Sequence, residues 1–140
     1  MIWHGGLVAT PVRGRWVGAL IEGPSGIGKS DLAMRTLGLG ATLVADDRVI
    51  LWRSGGRLYG RAPAALAGLL EIRGVGIVRR TPRILAEVSL VIACQSGPQS
   101  VERYPEQRFV ERMGVRLPLR PLWPLEPAAP RKLLALMEQV

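Results

Sequence analysis

A chain of 140 residues with 48% hydrophobic content suits one domain with a real core and is too apolar to stay unstructured. Its apolar runs are too short to span a bilayer, the opening "MIWHGGLVAT" lacks the features of a signal peptide, and one cysteine excludes an internal disulfide or a cysteine zinc cluster, so a soluble cytoplasmic protein is expected. The net charge is +8, yet the arginines are scattered and aromatic content is 5%, so neither a dense basic run nor a stacking platform for nucleic acid is found.

In chain order, "RWVGALIEG" (15–23) is an apolar run ending at glycine and reads as a buried strand. After a glycine-rich loop, "KSDLAMRTLGLG" places Leu32, Ala33 and Leu37 on one helical face and ends at Gly38 and Gly40. "ATLVADD" reads as a second buried strand ending in acids. "RVILWR", "SGGR" and "LYGRA" together read as a β-hairpin. "PAALAGLL" predicts a short helix opened by Pro63. "LLEIRGVGIV" is part strand and part glycine-rich loop, and "AEVSLVIAC" is another strand that buries Cys94 as a core thiol. Residues 97–127, rich in proline and arginine, carry strand-like pieces at "RFVERM" and "VRLPLRP" only. "PRKLLALMEQV" closes as a helix with Leu133, Leu134, Met137 and Val140 inward. The sum is one α/β domain over 1–140 with a mixed sheet, because hairpins interrupt any regular βαβ series.

"GPSGIGKS" (Gly23, Pro24, Ser25, Gly26, Ile27, Gly28, Lys29, Ser30) fits the phosphate-loop pattern at every fixed position. Glycines let the backbone turn tightly enough for its N–H groups to converge on phosphate oxygens, and the following helix adds the positive end of its dipole. Lys29, one of only two lysines, would neutralise the outer phosphates, and Ser30 would offer its hydroxyl to Mg²⁺. A polyphosphate ligand and Mg²⁺ are expected here.

Asp46 and Asp47 fall at the carboxyl end of the strand after the first helix, where ligands bind in open α/β sheets. An acid pair this soon after the loop favours a kinase arrangement, one carboxylate accepting the proton of an attacking hydroxyl and the other orienting it or contacting metal through water. Two neighbouring carboxylates beside polyphosphate also raise the proton affinity of at least one. Glu71, in "LLEIRGVGIV", reads either as a strand residue before a turn or as a residue with an anion or metal role.

Taken together, "GPSGIGKS", "LVADD" and "LLEIRGVGIV" closely resemble the catalytic domain of HPr kinase/phosphorylase, over residues 4 to about 115. The resemblance implies a P-loop fold akin to the nucleotide-binding core of phosphoenolpyruvate carboxykinase, and ATP-dependent phosphorylation of a serine on the phosphocarrier protein HPr. It also implies reversal by phosphorolysis with inorganic phosphate, and a homo-oligomer, typically a hexamer. By the same carry-over, Asp47 is the general base in the kinase direction and Asp46 its support. Lys29 holds phosphates, Ser30 and Glu71 bind metal, His4 stands near the nucleotide phosphates, and Arg103 faces the transferred phosphate.

The chain departs from the family in beginning close to His4 without the separate N-terminal domain of longer members, in extra residues around "TPVRGRW", and in a tail, "LRPLWPLEPAAPRK", without the Pro-Gly-Arg-Asn pattern that bears on dephosphorylation. Two other functions stand beside the kinase: a P-loop small-metabolite kinase, which leaves "LLEIRGVGIV" without a purpose, and a nucleotide-binding regulator without transfer activity, against which the intact acid pair argues.

Overall fold

The computed structural model describes residues 1–140. Eleven strands and two helices follow one another. The chain opens with β1 (Ile2–His4), β2 (Gly6–Val12) and β3 (Arg15–Glu22), then the phosphate loop and α1 (Lys29–Leu37). β4 (Thr42–Ala45), β5 (Arg48–Ser54) and β6 (Arg57–Arg61) come next. A small hairpin of β7 (Leu69–Ile72) and β8 (Gly76–Arg79) leads to β9 (Ala86–Cys94). β10 (Arg108–Arg112), β11 (Val115–Leu122) and α2 (Ala129–Glu138) complete the chain.

Nine strands form one mixed sheet, with the path β1-β5-β6-β9-β3-β2-β4 and the pair β10–β11 joined to it through β9. β3, β9 and β11 run parallel. β2 is antiparallel to both β3 and β4, so β4 points the same way as β3. The carboxyl ends of β4, β3, β9 and β11 therefore meet along one rim of the sheet. β2 begins at that rim, which brings His4 and Gly5 to it as well.

Two cores sandwich the sheet. One lies beneath α1 and α2 and contains Ile21, Leu32, Leu90, Ile92, Leu133 and Met137. The other lies on the opposite face and contains Leu7, Leu20, Val49, Leu51, Leu58 and Val91. Alternation along β9 changes phase. Ala86 and Val88 join the second core, whereas Leu90, Ile92 and Cys94 join the first. The cause is a bulge: Gly18 pairs Val88 and Ala19 pairs Leu90, leaving Ser89 without an opposite residue. A second bulge between β2 and β4 skips Val44 just before the acid pair. Gly18 is required at the first of these, because a Cβ there would run into the Glu87 carbonyl oxygen.

The expected strands at 15–22, 42–45 and 86–94, the hairpin of β5 and β6 across Gly55 and Gly56, and both helices are present. Leu133 and Met137 are fully buried on α2, with Leu134 and Val140 packed against the core. "PAALAGLL" differs from expectation: it forms only a 3₁₀ turn, Ala64–Leu66. Gly68, at φ 78, turns the chain away into β7. β1 and β2 are additional, and "TPVRGRW" is the tip of the β2–β3 hairpin. No helix is long and apolar enough to cross a membrane.

Gly18→Ala should lower the unfolding free energy by about 2 kcal/mol or more, read by urea denaturation, because backbone has to move to admit the methyl group. Unchanged stability would mean that β3 and β9 have room to separate at this bulge.

Candidate active site

The rim gathers most of the residues singled out in the sequence. β3 delivers the chain into Gly23, and the loop closes into α1 at Gly28, whose φ of 113 lies in the region open to glycine. Gly28 supplies no side-chain cap, so the first N–H groups of α1 are left directed toward the loop. Lys29 Nζ donates to the carbonyl oxygens of Gly23 at 2.7 Å and Pro24 at 3.0 Å. The ammonium is thus held across the loop's mouth by contacts that a phosphate oxygen can replace.

The two acids part company. Asp47 has φ 66, and Arg48 N–H donates back to the Asp46 carbonyl at 2.7 Å. This tight turn sends adjacent carboxylates in different directions. Gly5 N–H, donating to the Asp47 carbonyl at 2.9 Å, pins the turn to the start of β2. Left-handed backbone at a non-glycine residue costs of order 1 kcal/mol, which aspartate tolerates better than most.

Asp46 is buried. Ser30 Oγ donates to its Oδ1 at 2.7 Å, and Glu71 N–H donates to its Oδ2 at 3.3 Å. Burial pushes its carboxyl above the usual range. The bonds from Ser30 and Glu71 oppose that shift, and the charge on Asp47 adds to it only secondarily. The raised proton affinity expected from two adjacent acids is therefore present on Asp46, with desolvation as its main cause. Asp47 is exposed. His4 Nδ1 stands 3.6 Å from its Oδ1, and Arg48 Nε 3.6 Å from its Oδ2.

Glu71 reaches the site through its backbone, while its side chain is exposed at the open face of β7. No three His, Cys, Asp or Glu side chains gather as a metal cluster. The oxygen donors present, Ser30 Oγ and the Asp46 carboxylate, fit a hard cation that keeps much of its water and takes further ligands from phosphate. Arg103 lies in the exposed segment after β9 and forms no ion pair or side-chain hydrogen bond. Cys94 is buried beside the loop, its thiol pushed up to about 11 by desolvation, as befits a packing residue.

One cluster at the site escaped sequence reasoning. Glu22, the last residue before the loop, accepts from Arg112 Nη2 at 2.6 Å, Arg112 Nε at 2.8 Å and Trp3 Nε1 at 2.8 Å. This half-buried, charge-assisted fork ties β10 and β1 to the base of the phosphate loop. Its only trace in the sequence is an acid closing an apolar strand. Two cavities, of about 320 Å³ among Arg13, Arg57, Glu87 and Arg116 and about 460 Å³ beside Met34 and Arg80, contain none of these residues. The rim is the better candidate because it alone unites the loop, the acids and the dipole of α1.

Asp46 favours its protonated form more in the folded chain than in the unfolded one, so its ionisation opposes folding above the unfolded pKa. Relative to Asp46→Asn, the thermal midpoint of the unaltered protein should fall as pH rises from about 3 to 7, because the ionised carboxylate is disfavoured in the folded chain. A midpoint difference that stays constant over this range would contradict this.

The family model described as HPr Serine kinase C-terminal domain matches residues 2–82. HPr kinase/phosphorylase of Bordetella pertussis is 40% identical over 134 residues, which cover 87% of this chain and 42% of that protein. HPr kinase/phosphorylase of Brevibacillus brevis is 53% identical over 113 residues, covering 80% of this chain and 35% of that protein. The chain thus spans less than half the length of these relatives. The structure of the Hpr(Ser) kinase/phosphatase from Coxiella burnetii superposes with a TM-score of 0.84 at 24% identity, over 99% of this chain and 95% of that one, a likeness of fold. The mixed α/β sheet with a phosphate loop at its rim thus has its counterpart among known proteins, and this chain belongs to the HPr serine kinase C-terminal domain family.

Proposed function

We propose that the domain transfers the γ-phosphoryl group of ATP to a serine hydroxyl of an HPr-like phosphocarrier protein. The observation that carries this reading is the division of labour in the acid pair: Asp46 is buried and bonded to Ser30 on the first turn of α1, while Asp47, the next residue, is exposed beside His4. A regulator that only binds nucleotide has no use for a second, solvent-facing carboxylate held in a costly backbone conformation.

The backbone amides of Gly26 to Ser30 and the ammonium of Lys29 bind the polyphosphate. Ser30 Oγ and Asp46 would hold Mg²⁺, which when bound neutralises charge on the phosphate oxygens. Asp47 takes the proton of the serine hydroxyl as its oxygen bonds to phosphorus and the bond to the bridging oxygen of ADP breaks. His4 and Arg48 flank Asp47, one beside each carboxylate oxygen. Glu71 fixes Asp46 through its amide, and its exposed carboxylate would add a negative oxygen ligand when the metal is bound. Arg103, exposed in the segment after β9, would supply positive charge to the transferred phosphate. In reverse, an oxygen of inorganic phosphate attacks the phosphoserine phosphorus, the serine O–P bond breaks as protonated Asp47 gives its proton to the serine oxygen, and pyrophosphate leaves. Assembly into a homo-oligomer such as a hexamer belongs to the same reading.

With γ-labelled ATP, Mg²⁺ and purified HPr, label should enter HPr. Asp47→Asn, which keeps the left-handed backbone accessible, should cut transfer about 10²- to 10⁴-fold and leave ATP affinity intact. Label in a small metabolite instead would favour a metabolite kinase, and ATP binding with no transfer would favour a regulator. Lys29→Ala should weaken ATP binding at least tenfold without lowering the melting temperature. Undiminished affinity would remove the phosphate-loop assignment.

A further inference from the structure

The tail after β11, whose sequence has no counterpart in the motifs above, folds back onto the phosphate loop. A methyl group placed on Gly28 would meet Leu125 Cδ2 at 2.8 Å and Pro124 Cγ at 3.5 Å. The segment 123–126 is held there from several sides. Arg35, on α1, donates to the carbonyl oxygens of Pro124 and of Glu126, the latter at 3.0 Å. Asp31 orients that guanidinium by accepting from its Nε at 2.9 Å. Glu126 pairs with Lys132 on α2. Gln95 N–H donates to the Leu122 carbonyl at 2.8 Å, tying the ends of β9 and β11 together. Leu125 nonetheless leaves 57% of its surface to solvent. An apolar side chain is thus presented, on a braced segment, directly beside the glycine that precedes Lys29.

The direction in which a nucleotide must lie follows from the order of the strands. The acid pair sits at the end of β4, and β2 separates β4 from β3, which carries the loop. A terminal phosphate directed at Asp47 therefore points toward β4. The rest of the nucleotide then extends the opposite way along the rim, over the carboxyl ends of β9 and β11. Leu125 follows the end of β11.

From this placement we propose that Leu125 and Pro124 form the shelf against which the nucleobase of the bound nucleotide packs. The site is apolar and made by the tail of this chain, so it contributes affinity through burial of the base face and little discrimination among bases. Arg35 acts as a positioning residue that keeps the shelf closed on Gly28.

The inference rests on the nucleotide reading above, and a pair of ligands separates the two. ATP carries a base and inorganic tripolyphosphate does not, while both present phosphates to the loop. Titration calorimetry of the intact protein with Mg²⁺ should show Leu125→Ala weakening ATP about fivefold or more and leaving tripolyphosphate unchanged. Lys29→Ala should weaken both ligands. Because Leu125 is exposed, its truncation should leave the melting temperature in place. Arg35→Lys gives a second reading: loss of the two-carbonyl fork should weaken ATP more than tripolyphosphate. ATP affinity unmoved by Leu125→Ala, or both ligands weakened equally, would overturn the shelf. Failure of the unaltered protein to bind either ligand would instead remove the nucleotide reading, and the shelf with it.

Discussion

The hydrogen bond from Ser30 Oγ to Asp46 Oδ1 joins the first turn of α1 to the end of β4, and the candidate site is organised around it. Without it the phosphate loop and the acid pair would be two features of one rim with no fixed relation. The bond also accounts for the fate of Asp46. A carboxylate drawn beneath the helix loses water, and two donors, Ser30 and the Glu71 amide, offset only part of that loss. Its neighbour is left outside by the turn at Asp47. Two identical side chains in adjacent positions so acquire different surroundings, one buried among donors and one open to solvent.

The surrounding fold serves that arrangement. Four strands point their carboxyl ends at one rim, and the antiparallel β2 between β4 and β3 sets the spacing between acids and loop. The bulge at Val44 falls just before Asp46, where an extra residue can re-aim the chain. Glu22, gripped by Arg112 and Trp3, anchors the other side of the loop from β10 and β1. Segments distant in sequence thus converge on Glu22 and Ser30, at the two ends of the phosphate loop.

Much of this was legible in the sequence because its cause is local. Apolar runs marked β3, β4 and β9, and Gly55–Gly56 between β-branched and aromatic residues marked the β5–β6 hairpin. β2 was hidden by Gly5, Gly6 and Pro11, residues that speak against a strand, although β2 lies inside the sheet. "PAALAGLL" has good helix formers, but three residues of 3₁₀ turn are all that remain before β7 buries Leu70 against the first core. The phosphate loop and the acids could be named from spacing. Which acid is buried could not, since it depends on a left-handed residue and a partner supplied by α1. The Glu22–Arg112 pair spans ninety residues of sequence and has no periodic signature.

A crystal structure of the protein with Mg²⁺ and a non-hydrolysable ATP analogue would test the central claim most directly. The account predicts the terminal phosphate within hydrogen-bond reach of the Asp47 carboxylate, directly or through one water, with Asp46 still joined to Ser30 or to the metal beside it. A terminal phosphate lying on the far side of the loop, with Asp47 turned to bulk solvent and no donor or acceptor between them, would contradict it.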